Sequence, residues 1–315
     1  MIKRFGMLLL SVMLGLGMLS VLTGCNTEEY TPQDKQPIVF APTIAKNGVL
    51  RVGVDIENSP FAGKPADTII GLNVDIAAAL ADELGLKLEL VSVGTDYDAA
   101  LAADNPNRVD IVMGVDKADT AITCWRSEAY IQSGVALFAM SPEVMVPTQD
   151  SAARIAAQSS SMSAWEVNKQ YGEESLVSSP DLKTVFSDLA NGSVSYAAAD
   201  AVIGTYAAYS SSPRVNVSII ALLQKPNGYA VGVLEENTEL KQIISDVLVK
   251  LTSNGVIDLV EVKWLGNPID LTGVPFTEGV VTQETPPPPP APEPEPADDE
   301  EDEGDDEWDD EDDEW

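Results

Sequence analysis

The chemistry of this chain rests on carboxylates and hydroxyls rather than imidazoles. It has no His and only two Cys, which excludes His-dependent triads, His proton shuttles, His zinc sites and Cys-rich metal centres. What remains is a set of Asp residues where short apolar runs end: Asp55 after Val54, Asp116 after Val115 and Asp200 after Ala199. Ser159, Ser160 and Ser161 stand between an apolar run and a helical pattern. Unpaired backbone N–H groups and hydroxyls there make either an anion cradle or a plain helix cap. Asp116 and Asp119 read as solvated loop residues or, if they share a cleft with Asp55 and Asp200, as a site that favours a cation. Lys117 and Arg126 are the cations nearest that loop. Asp116 or Glu128 could serve as acid or base in a cleft enzyme. No nucleophile arrangement or metal motif accompanies them, so no catalytic residue, metal or cofactor is expected.

Strands must end, and helices begin, beside these residues. The apolar run Val49–Val54 reads as a buried strand. From Asn73 the pattern turns helical, with Val74, Ala77, Ala78, Ala81 and Leu84 on one face and Gly85 as the C-terminal cap. Residues 88–93 read as a strand, 97–103 as a short helix and 109–115 as another buried strand. Strand, helix, strand, helix, strand is the order of a doubly wound parallel sheet. The pattern then repeats. Strands are expected at 134–140, 154–158, 195–199 and 229–234, and helices at 163–171, 181–190 and 201–210. Thr238 is expected to cap a helix whose face is Ile243, Ile244, Val247, Leu248 and Leu251, and a last short helix ends at Trp264-Leu265-Gly266. Open α/β sheets bind ligands in the loops at the carboxyl ends of their strands, which is where these Asp residues lie.

Both ends of the sequence differ in composition from its middle. Lys3 and Arg4 precede an apolar stretch from Met7 to Leu22, long enough for a secretory h-region and short for a spanning helix. The stretch ends in Leu22-Thr23-Gly24-Cys25, which resembles a bacterial lipobox, so residues 1–24 read as a lipoprotein signal peptide and Cys25 as the lipidated first residue. Lipidation would leave Cys124 without a partner, as a buried or semi-buried thiol. Residues 25–43 read as a flexible tether and 271–315 as a Pro-rich, acidic, disordered tail. Residues 286–315 hold 17 acidic side chains and no basic one, about half of the net charge of −33. That tail reads as a self-repelling spacer, or as a surface for a basic partner or for divalent cations. So acidic a chain does not bind nucleic acid, which requires clustered Lys and Arg.

The folded middle resembles the family 3 extracellular solute-binding proteins, the amino-acid-type receptors of ABC importers. The resemblance is carried by Leu50-Arg51-Val52-Gly53-Val54-Asp55, Pro60-Phe61, Gly71-Leu72-Asn73-Val74-Asp75-Ile76-Ala77 and Leu84-Gly85. It continues through Tyr97-Asp98-Ala99-Ala100-Leu101, Val109-Asp110-Ile111, Asp200 and Lys263-Trp264-Leu265-Gly266, in the family's order and spacing. It implies an α/β, two-lobed type II periplasmic-binding-protein fold, each lobe a doubly wound sheet flanked by helices, with two crossover strands joining them. The expected lobes are 44–140 plus 232–270, and 141–231. It also implies roles: Asp55 contacting a polar or cationic group, Phe61 and Tyr97 walling the cleft, Ser160 and Ser161 in the anion loop, and Asp200 receiving an ammonium. Asp75 reads instead as a structural charge near a helix N-terminus. The family's carboxylate-binding Arg is missing, because residues 113–122 contain none. Arg126 is the nearest substitute, and Asp116 would otherwise shift the site toward a cation.

The function so implied is a monomeric, lipid-anchored extracytoplasmic receptor. It would pass an amino acid or related amine to an ABC permease; a sensory or adaptor lipoprotein of the same fold is the second possibility and a cleft enzyme the third. Lipidation needs the Cys25 thiol, so Cys25→Ser should abolish incorporation of a fatty-acid analogue during metabolic labelling. Equal label on both proteins would refute the lipobox.

Overall fold

The computed structural model describes residues 35–277. The expected signal peptide, Cys25 and the expected tail from Glu278 onward lie outside the described residues. Two sheets form the frame. The first has the order β2-β1-β3-β11-β4, with β5 paired to β11. Its strands are β1 (Val49–Val54), β2 (Lys87–Ser92), β3 (Ile111–Asp116), β4 (Trp125–Arg126), β5 (Ile131–Ser133) and β11 (Asn227–Val233). β1 runs parallel to β2 and β3, whereas β11 is antiparallel to β3, β4 and β5. The second sheet has the order β10-β6-β9-β7-β8. It contains β6 (Val135–Ala139), β7 (Ile155–Gln158), β8 (Leu176–Ser179), β9 (Tyr196–Asp200) and β10 (Ser218–Leu222).

Packing explains the choice of residues. Every residue of β6 is buried. Ala136 and Phe138 face one core, while Val135, Leu137 and Ala139 face another, as the two-residue period of a strand requires. The Phe138 ring meets Phe186 edge-on at 5.4 Å. Phe186 lies on α4 (Leu182–Ala190), and α3 (Met162–Tyr171) covers the opposite face. In the first lobe, α1 (Leu72–Glu83) packs on the sheet together with α6 (Thr238–Ser253) and α7 (Val256–Leu265). The short α2 (Tyr97–Leu101) covers the other side. The helix α5 (Ala201–Ser210) follows β9 and contributes to both cores, with Val202 in one and Ala208 in the other.

Gly71 fixes where α1 begins. Its φ is 154°, and a Cβ there would sit 2.2 Å from the Phe61 carbonyl oxygen. That close approach lets Leu72 and Asn73 donate their amide hydrogens to the carbonyls of Pro60 and Phe61. The helix start is satisfied and the Phe61 loop is held in place.

Several expectations are corrected. The buried face of α1 is Leu72, Ile76, Ala77, Leu80 and Ala81, and Ala78 is exposed. An Ala-rich helix has a weak apolar stripe, so its larger residues settle which side packs. Asn237, not Thr238, caps α6, accepting from the Leu240 N–H at 3.2 Å. Strands β8 and β10, absent from the sequence reading, lie at the two edges of the second sheet. The lobes exchange chain at Gly134 and at 223–226 rather than at 140 and 231, since β6 pairs with β9 and β10 while β11 pairs with β3. Residues 35–43 are not a free tether throughout: Val39 is buried, and Ile38 donates its N–H to Leu84. The first residues of the expected tail also pack, because Leu271 is buried and Thr277 donates its N–H to Leu222.

Asp75 keeps the structural role expected of it, accepting from Lys263 Nζ at 2.5 Å and Trp264 Nε1 at 2.6 Å. Glu261 on α7 is only 5% exposed and accepts the Ile269 N–H at 2.6 Å. Burial is the main cause that raises its pKa to about 7, and Asp258 adds to the rise. The folded state therefore keeps this proton to higher pH than the unfolded chain does. The site should lose stability as pH rises from about 4.5 to about 7, by up to ~3 kcal/mol. Glu261→Gln should flatten that slope and raise stability at pH 8 but not at pH 4.5. Urea unfolding at both pH values checks this; equal slopes would mean the carboxyl is not coupled to folding.

Candidate functional site

A cavity of about 220 Å³ opens where the two sheets meet. Asp116, at the carboxyl end of β3, supplies one wall. Its Oδ1 accepts the Ala118 N–H at 2.7 Å, a local turn that sets the direction of the carboxylate. Both crossings contribute: Ser133, Gly134 and Val135 from the first, and Gln224, Lys225 and Tyr229 from the second. Met162 and Ser163, the first residues of α3, close the far side. Their backbone N–H groups meet no acceptor among the described residues, so the positive end of α3 faces the cavity.

Asp200 ends β9 and caps α5. Its Oδ1 accepts the N–H groups of Val202 and Ile203, each at 2.9 Å. Its Oδ2 accepts from the Ser133 hydroxyl at 2.5 Å and, more distantly, from the Tyr229 hydroxyl at 3.4 Å. No cation pairs with it among the described residues, and burial raises its pKa despite these donors. Tyr229 is itself pushed far above the ordinary phenol range, first by burial and then by the charges of Asp200 and Asp116. Asp116 is the register partner of Tyr229 across β3 and β11.

Of the residues singled out from sequence, Asp116 and Asp200 line this cavity. The others stand elsewhere. Phe61 is 1% exposed, with its ring centroid 4.2 Å from that of Tyr229, one layer behind the wall. Tyr97 is buried among Val112, Val115 and Cys124; burial raises its pKa to about 12, helped by Asp55 and Cys124. Asp55 accepts the Glu57 N–H at 3.1 Å in its own turn. Ser161 caps α3 through the Ala164 N–H at 3.1 Å, and Ser160 takes a φ of 58° in the turn before it. Arg126 donates from Nη1 to the carbonyl of Asp119 at 2.7 Å and of Lys117 at 3.4 Å. It braces the loop behind Asp116 instead of reaching into the cavity. Cys124 is a buried free thiol, its pKa pushed up to about 11 by burial.

Sequence reasoning missed Ser133, Ser163, Lys225 and Tyr229. Tyr229 carried one usable signal, an aromatic in a strand expected to follow a crossing. The other three carry no signal of their own until the two lobes are brought together. Among the described residues, no group of three or more His, Cys, Asp or Glu could hold a metal ion, and no helix is long and apolar enough to cross a membrane.

No curated protein sequence matches the chain. Solved structures do. A polar amino acid ABC uptake transporter substrate-binding protein from Streptococcus thermophilus aligns with TM-score 0.58 and 19% identity, over 70% of this chain and 88% of that one. The L-cystine solute receptor of Neisseria gonorrhoeae, in its unliganded open conformation, gives 0.57 and 22%, over 70% and 94%. The ancestral cationic amino acid solute-binding protein AncCDT-1 gives 0.56 and 21%, over 69% and 96%. At these identities the likeness is one of fold, the two-lobed type II arrangement of periplasmic binding proteins. The family model for bacterial extracellular solute-binding proteins, family 3, matches residues 50–267, and the chain belongs to that family.

Proposed function

We propose that this chain is a monomeric, lipid-anchored extracytoplasmic receptor. It takes a small polar solute, an amino acid or related amine, into the cleft between its lobes and hands it to an ABC importer. The observation that carries the reading is Asp200, a carboxylate on the cavity wall satisfied only by neutral donors. A ligand ammonium would supply the missing charge through a charge-assisted hydrogen bond. Asp116 lines the same cavity and adds to the negative potential that draws a cation in. The family description and the L-cystine and polar amino acid in the names of the aligned receptors support this class of ligand. The lipid anchor rests on the sequence around Cys25, and the permease on the family's association with ABC import. Closing the lobes would bury the solute and create the surface that the permease reads.

A thermal-shift series of the purified protein against amino acids and their amines tests the first step. A ligand at 100 Kd should add roughly 2.7 kcal/mol of stability. No shift from any amino acid or amine would remove the proposal. For a ligand that does bind, Asp200→Asn keeps the shape and the cap but removes the charge. Affinity should fall by roughly 10- to 150-fold by calorimetry. Because burial raises the Asp200 pKa, protons should begin to compete with the ligand at a higher pH than for an ordinary carboxylate. Unchanged affinity in the Asn variant would take Asp200 out of the site.

A further inference from the structure

We infer that Lys225 receives the acidic end of the ligand, in the place of the Arg that the sequence lacks. The inference rests on reading the cleft as a solute site. A carboxylate moved from water into a closing cleft must meet a cation or several N–H donors, since an unpaired buried charge is very costly. Three cations lie on or near the cavity, and two are committed. Arg126 spends its Nη1 on the carbonyls of Asp119 and Lys117. Lys117 donates to the Ser127 carbonyl at 3.2 Å and to Glu128 at 3.1 Å. Lys225, an exposed residue, lines the cavity, and its ammonium makes no hydrogen bond or ion pair among the described residues.

The two residues before it are held from behind. Leu223 donates its N–H to the Val135 carbonyl at 2.7 Å, tying the two crossings together. The Leu223 carbonyl accepts from Gln170 Nε2 at 2.5 Å, and Gln224 Nε2 donates to Glu166 Oε1 at 2.8 Å. Gln170 and Glu166 are both buried on α3, the helix whose N-terminal N–H groups face the same cavity. Gln170 Nε2 also donates to Glu166 Oε2 at 2.8 Å. One buried network thus holds Leu223 and Gln224, the two residues before Lys225, against α3, whose start faces the cleft. Asp116 and Asp200 supply its negative features. A cavity polarised in this way suits a zwitterion, whose acid group goes to Lys225 and whose ammonium goes to the carboxylates. Neither Arg126 nor Lys117 has to leave its partners.

The test compares two substitutions on the full chain, Lys225→Met and Lys225→Arg, with L-amino acids and their decarboxylated amines as probes. Calorimetry first identifies an amino acid that binds the wild type. Lys225→Met should then lose roughly 10- to 150-fold in affinity for that amino acid and keep its affinity for the matching amine. Lys225→Arg should retain most of the amino-acid affinity. The melting temperature without ligand should stay unchanged in both, since the ammonium has no partner to lose. Equal losses for amino acid and amine would reveal a structural effect and overturn the inference, as would an unaffected amino-acid affinity. A wild type that prefers the amine would overturn it too, while leaving the solute-receptor reading intact. A wild type that binds neither would sink both.

Discussion

Asp200 places an anion at the junction of two sheets and surrounds it with neutral donors: two amide N–H groups at the start of α5, and the hydroxyls of Ser133 and Tyr229. The amides belong to the second lobe, and the hydroxyls come from strands of the first sheet. A buried carboxylate that lost one side of this shell would bear the full cost of an unsatisfied charge. The lobes are therefore tied together by the same oxygen atoms that face the cavity. A ligand that adds a positive charge there stabilises both the anion and the arrangement that holds it. Binding and lobe geometry are in this sense a single equilibrium.

Small residues make that junction possible. β9 contributes Ala197, Ala198 and Ala199, all buried, so helices can approach both faces of the strand that carries Asp200. Gly204 on α5 does the same against Phe138, whose ring carbons lie 2.8 Å from where a Cβ would be. Gly232 on β11 lets Val112 and Cys124 close over it. The alanines and glycines near the cleft are there for close packing, and the polar chemistry is confined to strand ends.

What could be read from sequence followed from how locally each feature is determined. β6 and β9 announce themselves because a strand buried on both faces is apolar at every position. Asp116 and Asp200 are legible as carboxylates that end apolar runs, although Asp55 ends one too and does not line the cavity. The face of α1 was misjudged because Ala is indifferent to burial, and Ile76 and Leu80 decide the matter only once a sheet lies beneath them. β8 and β10 are edge strands, each with partly buried positions at its start, so neither shows the unbroken buried run that marks the central strands. Ser133 and Lys225 were illegible for a different reason. They lie some ninety residues apart on two separate crossings, and only tertiary pairing puts them on one cavity. Arg126 shows the converse, since a guanidinium close to the site in sequence is engaged with backbone carbonyls in space.

The described chain enters on one lobe and leaves on the other. Ile38 is hydrogen-bonded to Leu84 at the end of α1, whereas Thr277 is bonded to Leu222 and, through its hydroxyl, to Gln170 at 2.7 Å. A hinge built this way converts any change of lobe angle into a change of distance between the two anchoring points. Tension applied along the chain would load the crossings first and the individual sheets only afterwards.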